Sequence, residues 1–275
     1  MESNGWEVLQ LQKKAQQIRR DILEMVYRRQ SGHLGGSFSI VEILVALYYK
    51  TMRIDPANPK WEGRDRFILS KGHCAPALYA VLADLGFFPK EYLTKSFRCV
   101  NGILQGHPDL KKTPGVDMSS GSLGIGLSVA CGMALGGRIK GQDFRIFVVI
   151  GDGETNEGQI WEAAKTAAHY KLDQITAFID LNGLQNDGPT EKEMSMAPMA
   201  AKWRSFNWNV IEIDGHDFPQ ILAAVDKAKQ STGQPTAILC RTVKGKGVSF
   251  MENQIKFHGT PPNEEEYQKA LGELS

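Results

Sequence analysis

Two short apolar runs constrain this chain more than any other feature: Phe144-Arg145-Ile146-Phe147-Val148-Val149-Ile150 and Ile175-Thr176-Ala177-Phe178-Ile179. Each is rich in β-branched residues and short enough to be a strand buried on both faces. Between them, Glu157 to Tyr170 carries Ile160, Trp161, Ala164, Ala167 and Ala168 at helical spacing. The unit reads strand, glycine turn, helix, strand. A crossover of this kind makes the two strands parallel, so the turns that follow them emerge at the same edge of the sheet.

Those two turns carry chemistry. Gly151-Asp152-Gly153-Glu154 follows the first strand, and Asp180-Leu181-Asn182-Gly183-Leu184 follows the second. An acid and an amide at neighbouring carboxyl ends can share one hard cation. Mg²⁺ takes oxygen ligands in an octahedron, typically one or two carboxylates with phosphate oxygens and water. Gly153 adds an exposed backbone N–H, and the helix that starts near Glu157 presents its positive end to an anion. The expectation is a magnesium diphosphate clamp.

The rest of the chain continues the alternation. Helical patterning runs from about Trp6 to Arg29, and Ser39 with Glu42 has the spacing of a capping box before Ile43 to Tyr48. Arg66–Ser70 reads as a strand, Ala75–Leu85 as a helix, and the Gly- and Ala-rich Ser119–Ile139 as a glycine turn leading into a close-packed helix. Helices at 199–205 and 218–230 alternate with strands at 209–213 and 235–241. The pattern predicts a doubly wound, mainly parallel α/β sheet flanked by helices, a single domain over 1–275. Residues 242–262 lack periodicity and read as a functional or disordered loop, with Lys244 and Lys246 on a solvated, flexible face.

Charge nearly cancels, with 32 basic and 31 acidic residues, which offers no global attraction to nucleic acid or membrane surfaces. No stretch has the length of a membrane span, and Met1 to Trp6 lacks a signal-peptide pattern, so a cytoplasmic location is the default expectation. Cys74, Cys99, Cys131 and Cys240 are scattered and read as buried or incidental thiols. Of six histidines, His33, His73, His107 and His258 lie in turns bounded by glycine or proline. Imidazole exchanges protons near neutrality, so four such turns point to proton traffic. His169 lies within the clamp helix and reads as packing or surface. For His216 a turn role and a site role stand equally.

Taken in order, Ser31-Gly32-His33-Leu34-Gly35, Ser70-Lys71-Gly72-His73, Gly106-His107-Pro108, Gly121-Ser122-Leu123-Gly124, the Gly-Asp-Gly unit, Asp214-Gly215-His216-Asp217 and Phe257-His258-Gly259 resemble the thiamine diphosphate enzymes, and among them transketolase. The resemblance covers essentially the whole chain, but only the amino-terminal, diphosphate-binding half of such an enzyme. It implies transfer of a two-carbon ketol unit from a ketose phosphate to an aldose phosphate, with thiamine diphosphate as the electron sink. By the same resemblance, Asp152, Asn182 and the Leu184 carbonyl hold Mg²⁺, or Ca²⁺ or Mn²⁺ in its place. His73, Gly121, Ser122, Leu123, Gly153, Asn182 and His258 contact the cofactor. His33 and His258 handle substrate hydroxyl protons, and His107 holds the donor's terminal hydroxyl. Glu157 matches a glutamate that acts across a subunit boundary. Leu34 stands where the family commonly has proline, which implies a less rigid or differently shaped turn at His33.

The chain ends at Ser275 before any pyrimidine-binding half. The resemblance therefore implies one subunit of a split transketolase, inactive alone and completed by a carboxyl-terminal partner in an α2β2 assembly. The alternatives are the diphosphate-binding half of a deoxyxylulose-phosphate synthase or a 2-oxo acid dehydrogenase, or a non-catalytic assembly subunit. A nicotinamide-binding domain lacks its Gly-x-Gly-x-x-Gly after the first strand.

Overall fold

The computed structural model describes residues 2–275; Met1, where the reading of the amino terminus begins, lies outside the described residues. Five parallel strands form one sheet in the order β1-β2-β3-β5-β4: β1 (Arg66–Leu69), β2 (Ile146–Gly151), β3 (Ile175–Leu181), β4 (Asn209–Asp214) and β5 (Thr236–Arg241). The helices are α1 (Glu2–Arg29), α2 (Leu34–Phe38), α3 (Val41–Ala46), α4 (Ala75–Asp84), α5 (Tyr92–Lys95), α6 (Gly126–Ile139), α7 (Gly158–His169), α8 (Thr190–Met194), α9 (Met199–Ser205), α10 (Phe218–Gln230) and α11 (Glu264–Glu273). Among the described residues no helix is long and apolar enough to cross a membrane.

Side chains alternate across each strand, and the alternation sorts the core into two layers. Phe67, Phe147, Val149, Phe178 and Ile238 join the core under α1, α3, α4 and α10. Ile68, Ile146, Val148, Ile150, Ala177 and Leu239 join the opposite core under α6, α7 and α9. Both faces are covered, which is why the strands read as continuous apolar runs rather than alternating ones. The register pairs Gly151 with Asp180, so Asp152 and Asn182 leave the sheet side by side.

Two close approaches need glycine. A Cβ on Gly126 would collide with Ser70 Oγ, so only glycine lets α6 begin against the end of β1. Gly124, with φ of +82°, turns the chain into that helix in a left-handed conformation that other residues rarely adopt.

Ser39 and Glu42 do not form a capping box. The residue before α3 is Ile40, with no side-chain cap, because both polar groups are drawn into tertiary contacts. The Ser39 hydroxyl donates to the Gly36 carbonyl and to Asp180. Glu42 accepts both Arg19 guanidinium nitrogens at 2.7 Å. His216 completes that group: its Nε2 accepts the Val243 amide at 2.9 Å, so its proton sits on Nδ1 and faces Glu42 Oε2 at 2.9 Å. His216 therefore belongs to the scaffold. A capping box does form at Asn263 and Glu266, at the start of α11.

Leu34, at the position commonly held by proline, is fully buried and opens α2. His169 is exposed at the end of α7. All four cysteines are free thiols.

Burial by itself would raise the Glu42 carboxyl, but the Arg19 guanidinium and His216 hold it down at about 2. Its contribution to stability is full above the ordinary carboxylate range and is lost as the pH falls from about 4.5 toward 2. Glu42→Ala strands a buried guanidinium and should cost about 3–5 kcal/mol at neutral pH. The urea midpoint of unfolding measures this, and a loss below about 1 kcal/mol would show that the pair holds nothing together.

Candidate functional site

The carboxyl ends of β1, β2, β3 and β5 border one cleft of about 560 Å³. Its floor is a buried ion pair. Lys71, just past β1, lies 2.5 Å from Asp180 in β3 and also donates to the Gly36 carbonyl at 3.0 Å. Asp180 further accepts from Ser39, from Asn182 Nδ2 at 2.8 Å and from the Thr242 hydroxyl beyond β5. Burial would lower Lys71 and raise Asp180, but each partner reverses that for the other and both stay ionised.

Glu154 makes a second internal brace. Its Oε1 accepts from Ser70 Oγ at 2.5 Å and from the Gly124 amide at 2.9 Å, and its Oε2 from the Gly151 amide at 3.0 Å. The glycine turn 121–124 is thereby tied to the ends of β1 and β2.

One wall is the expected clamp. Asp152, 7% exposed, accepts the Gly153 and Gly183 amides at 2.8 and 2.7 Å, and forms no ion pair among the described residues. Burial, and then the nearby Asp180 charge, push its carboxyl up to about 6. With Nδ2 committed to Asp180, Asn182 keeps its oxygen as its acceptor, and that oxygen takes the Leu184 amide at 3.2 Å. An under-compensated carboxylate beside a fixed amide oxygen fits a divalent cation, and carboxylate and carbonyl oxygens suit Mg²⁺, Ca²⁺ or Mn²⁺.

The other wall is a triangle of imidazoles. The ring centres of His33, His73 and His258 lie 5.2, 5.4 and 5.3 Å apart. Burial is the main reason that all three lose protons early: His33 falls to about 4, with Arg98 adding to the effect, His258 to about 3, with Lys244 adding, and His73 well below its ordinary value. Lys244 Nζ bridges the walls, donating to His258 Nδ1 at 2.7 Å and to the Leu184 carbonyl at 2.8 Å. That leaves the His258 proton on Nε2. Burial and the Lys71 charge lower Lys244 to about 8. The reading of this lysine as a flexible surface group is corrected: it is 2% exposed, and the loop that carries it is pinned by the Gly245 amide donating to the Gly35 carbonyl at 3.0 Å.

The cleft collects His33, His73, Gly121, Leu123, Asp152, Gly153, Glu157, Asn182, Leu184 and His258 from the residues expected in a site. Glu157 is exposed and caps α7 without a side-chain bond. Ser122 and His107 are exposed outside the lining; His107 packs against Gly121, where a Cβ would lie 3.2 Å from its ring. The Leu184 carbonyl is already occupied by Lys244. Lys71, Glu154, Asp180 and Lys244 escaped the sequence reading. Asp180 had left a signal, an acid near the end of an otherwise apolar strand, and Lys71 sat inside a motif noted for its histidine.

The family model described as "Transketolase, thiamine diphosphate binding domain" matches residues 11–274. A 6-deoxy-6-sulfo-D-fructose transketolase subunit of Clostridium sp. (strain MSTE9) is 47% identical, over 97% of this chain and 96% of its own length. One of the subunits of the apulose-4-phosphate transketolase of Phocaeicola vulgatus is 40% identical, over 98% and 94%. The transketolase of Pongo abelii is 38% identical, over 91% of this chain but 40% of its own. A crystal structure of transketolase from Pichia stipitis in complex with sedoheptulose 7-phosphate superposes with a TM-score of 0.91 at 31% identity, covering 96% of this chain and 40% of that one.

Asp152 generates a pH test. A carboxyl whose folded pKa lies above its unfolded value costs nothing below both and its full penalty above both. Between about pH 4 and pH 7, Asp152→Asn should therefore gain on the wild type by roughly 1–3 kcal/mol in the absence of metal. Chemical denaturation at both pH values checks this; a stability difference that does not change with pH would mean that the carboxylate is already compensated.

Proposed function

Since the chain belongs to the transketolase family, as its thiamine diphosphate-binding part, we propose that it is the amino-terminal subunit of a two-subunit transketolase that moves a two-carbon ketol unit from a ketose to an aldose. The observation that carries this reading is one cleft with an under-compensated carboxylate on one wall and three neutral imidazoles on the other. Relatives of matching length are named as transketolase subunits, whereas the chain corresponds to about 40% of a full transketolase. We therefore assign residues 1–275 to the diphosphate-binding domain and the pyrimidine-binding domain to a separate carboxyl-terminal subunit, in an α2β2 complex in the cytoplasm. The names of the relatives include a sulfonated and a phosphorylated sugar. For this chain we propose a donor or acceptor ending in one such anionic group.

Asp152 and Asn182 would hold Mg²⁺, or Ca²⁺ or Mn²⁺ in its place. The Leu184 carbonyl serves the cation only if Lys244 bonds the diphosphate instead. Lys244, His73 and His258 offer donors to that diphosphate beside the Gly153 turn, whose amide is given to Asp152, and Gly121, Ser122 and Leu123 flank the ring system. Thiamine diphosphate, when bound, supplies the nucleophilic carbon and electron sink for breaking the C2–C3 bond of a ketose. The protein's own share is positioning and proton transfer. His33, unprotonated at neutral pH, can accept a substrate hydroxyl proton, and His258 can do so once Lys244 turns from its Nδ1 to the diphosphate. His107, beyond Gly121, would hold the donor's terminal hydroxyl. Glu157, exposed and forming no ion pair among the described residues, is free to meet a group of the adjoining subunit.

The test is reconstitution. The chain alone should transfer nothing from a ketose phosphate, and addition of the carboxyl-terminal subunit should restore turnover; robust transfer by the isolated chain refutes the split-subunit reading. In the complex, Asp152→Ala should abolish metal-dependent binding of thiamine diphosphate. His258→Ala and His107→Ala should each lower kcat/KM by about 10²-fold or more, with His169→Gln near wild type. A His169 variant more damaged than these, with folding intact, would relocate the site.

A further inference from the structure

Between α5 and α6 the chain runs from Ser96 to Ile125 with no strand or helix, and His107 sits in the middle of that stretch. Backbone carbonyls in such a segment have no ladder to satisfy them, so their partners must come from elsewhere in the fold. For Ile103, Gln105 and His107 they come from two buried hydroxyls. The Tyr79 hydroxyl lies 3.0 Å from the Gln105 carbonyl and 3.0 Å from the His107 carbonyl, and Thr113 Oγ1 donates to the Ile103 carbonyl at 2.5 Å. Three alternate carbonyls along one stretch thus turn inward onto side chains.

Tyr79 has little freedom of its own. It lies within α4, is fully buried, and packs edge-to-face against Phe97 with ring centres 6.2 Å apart. Burial raises its phenol above the ordinary value, so the hydroxyl keeps its proton and remains a donor. A buried phenol needs a partner, but one carbonyl would satisfy it. Tyr79 instead shares its proton between the residues on either side of Gly106. On the other side of the turn the Ser120 amide donates to the Pro108 carbonyl at 3.1 Å, and a Cβ on Gly121 would lie 3.2 Å from the His107 ring. The turn is therefore held from two sides. Because α4 begins directly after the 72–74 turn, one helix carries both the His73 turn and the clasp on the His107 turn.

We propose that Tyr79 is a positioning residue for the donor sugar: through the carbonyls of Gln105 and His107 it fixes where the His107 imidazole stands relative to His73, and so where the donor's terminal hydroxyl is held. The inference deepens the transketolase reading and rests on the role that reading gives His107.

Tyr79→Phe removes one oxygen and keeps the ring that packs on Phe97. In the reconstituted complex it should raise KM for the donor ketose about tenfold, with kcat within about twofold and the affinity for thiamine diphosphate unchanged. A loss confined to kcat, or an equal loss of cofactor affinity, overturns the proposal, because a general loosening of the fold would not single out the donor. Coupling is the sharper test: in a His107→Ala background Tyr79→Phe should add less than about twofold, and a further loss of about tenfold there overturns the proposal. Thr113→Val, which frees only the Ile103 carbonyl, should raise donor KM by roughly threefold and makes the test if the Tyr79 variant does not fold; no donor-specific change in it then overturns the clasp. If the wild-type complex transfers nothing, the transketolase reading fails by itself. The clasp is then decided in the full chain by NMR titration of the His107 ring, which burial first, and then Arg98, hold below the ordinary histidine value. A midpoint that rises in Tyr79→Phe supports the clasp, and an unchanged midpoint overturns it.

Discussion

The site stands on the Lys71–Asp180 ion pair. It joins the end of β1 to β3, and through hydrogen bonds it gathers the Gly36 carbonyl, Ser39, Asn182 and Thr242. Burying two charges is expensive and is sustained only when geometry is good and the remaining donors and acceptors are satisfied. Here Asp180 is bonded to Lys71, Ser39, Asn182 and Thr242 besides its place in the sheet, so the pair costs little conformational freedom beyond what the fold already restricts. It also sets the orientation of Asn182. Because the amide nitrogen is committed to Asp180, the oxygen is the atom presented outward.

Above that neutralised floor the cleft is left electrostatically unsatisfied. Asp152 is buried and forms no ion pair among the described residues, and burial first, then positive neighbours, discourages protonation of Lys244 and the three imidazoles. Each departure is unfavourable for the free chain. Each is relieved by a ligand that carries a cation toward Asp152 and anionic oxygens toward Lys244 and the histidines. That polarity is the basis on which a metal diphosphate is proposed as its ligand, because preorganised charge lowers the reorganisation that binding would need.

The legible part of this molecule was the part governed by local repetition. Short continuous apolar runs and helical patterning located all five strands, most of the longer helices and the turns that carry Asp152 and Asn182, because a strand buried on both faces and an amphipathic helix leave signatures in adjacent residues. Local rules failed where tertiary partners outbid them. Ser39 and Glu42 had capping spacing, yet Asp180 and Arg19 hold them in other geometries. Lys244 lay in a polar, glycine-punctuated loop, and nothing near it in sequence announced that Gly35 and His258 would draw it inward. His216 looked equally suited to turn or site until its two nitrogens were seen spent on Val243 and Glu42.

By itself the sequence determined the class of fold, the edge of the sheet that borders the cleft and the acid and amide that stand there, since parallel strands joined by right-handed crossovers bring their carboxyl ends to one side. Tertiary structure alone decided which of the remaining polar residues face the cleft, how they are ionised and which of them serve only as scaffold. Those properties depend on desolvation and on charges brought within a few ångströms from distant parts of the chain: His33, His73 and His258 become one cluster only when α2, β1 and the loop after β5 close over the same cavity. Neither the burial nor the neighbours that shift these groups exist until the sheet has formed.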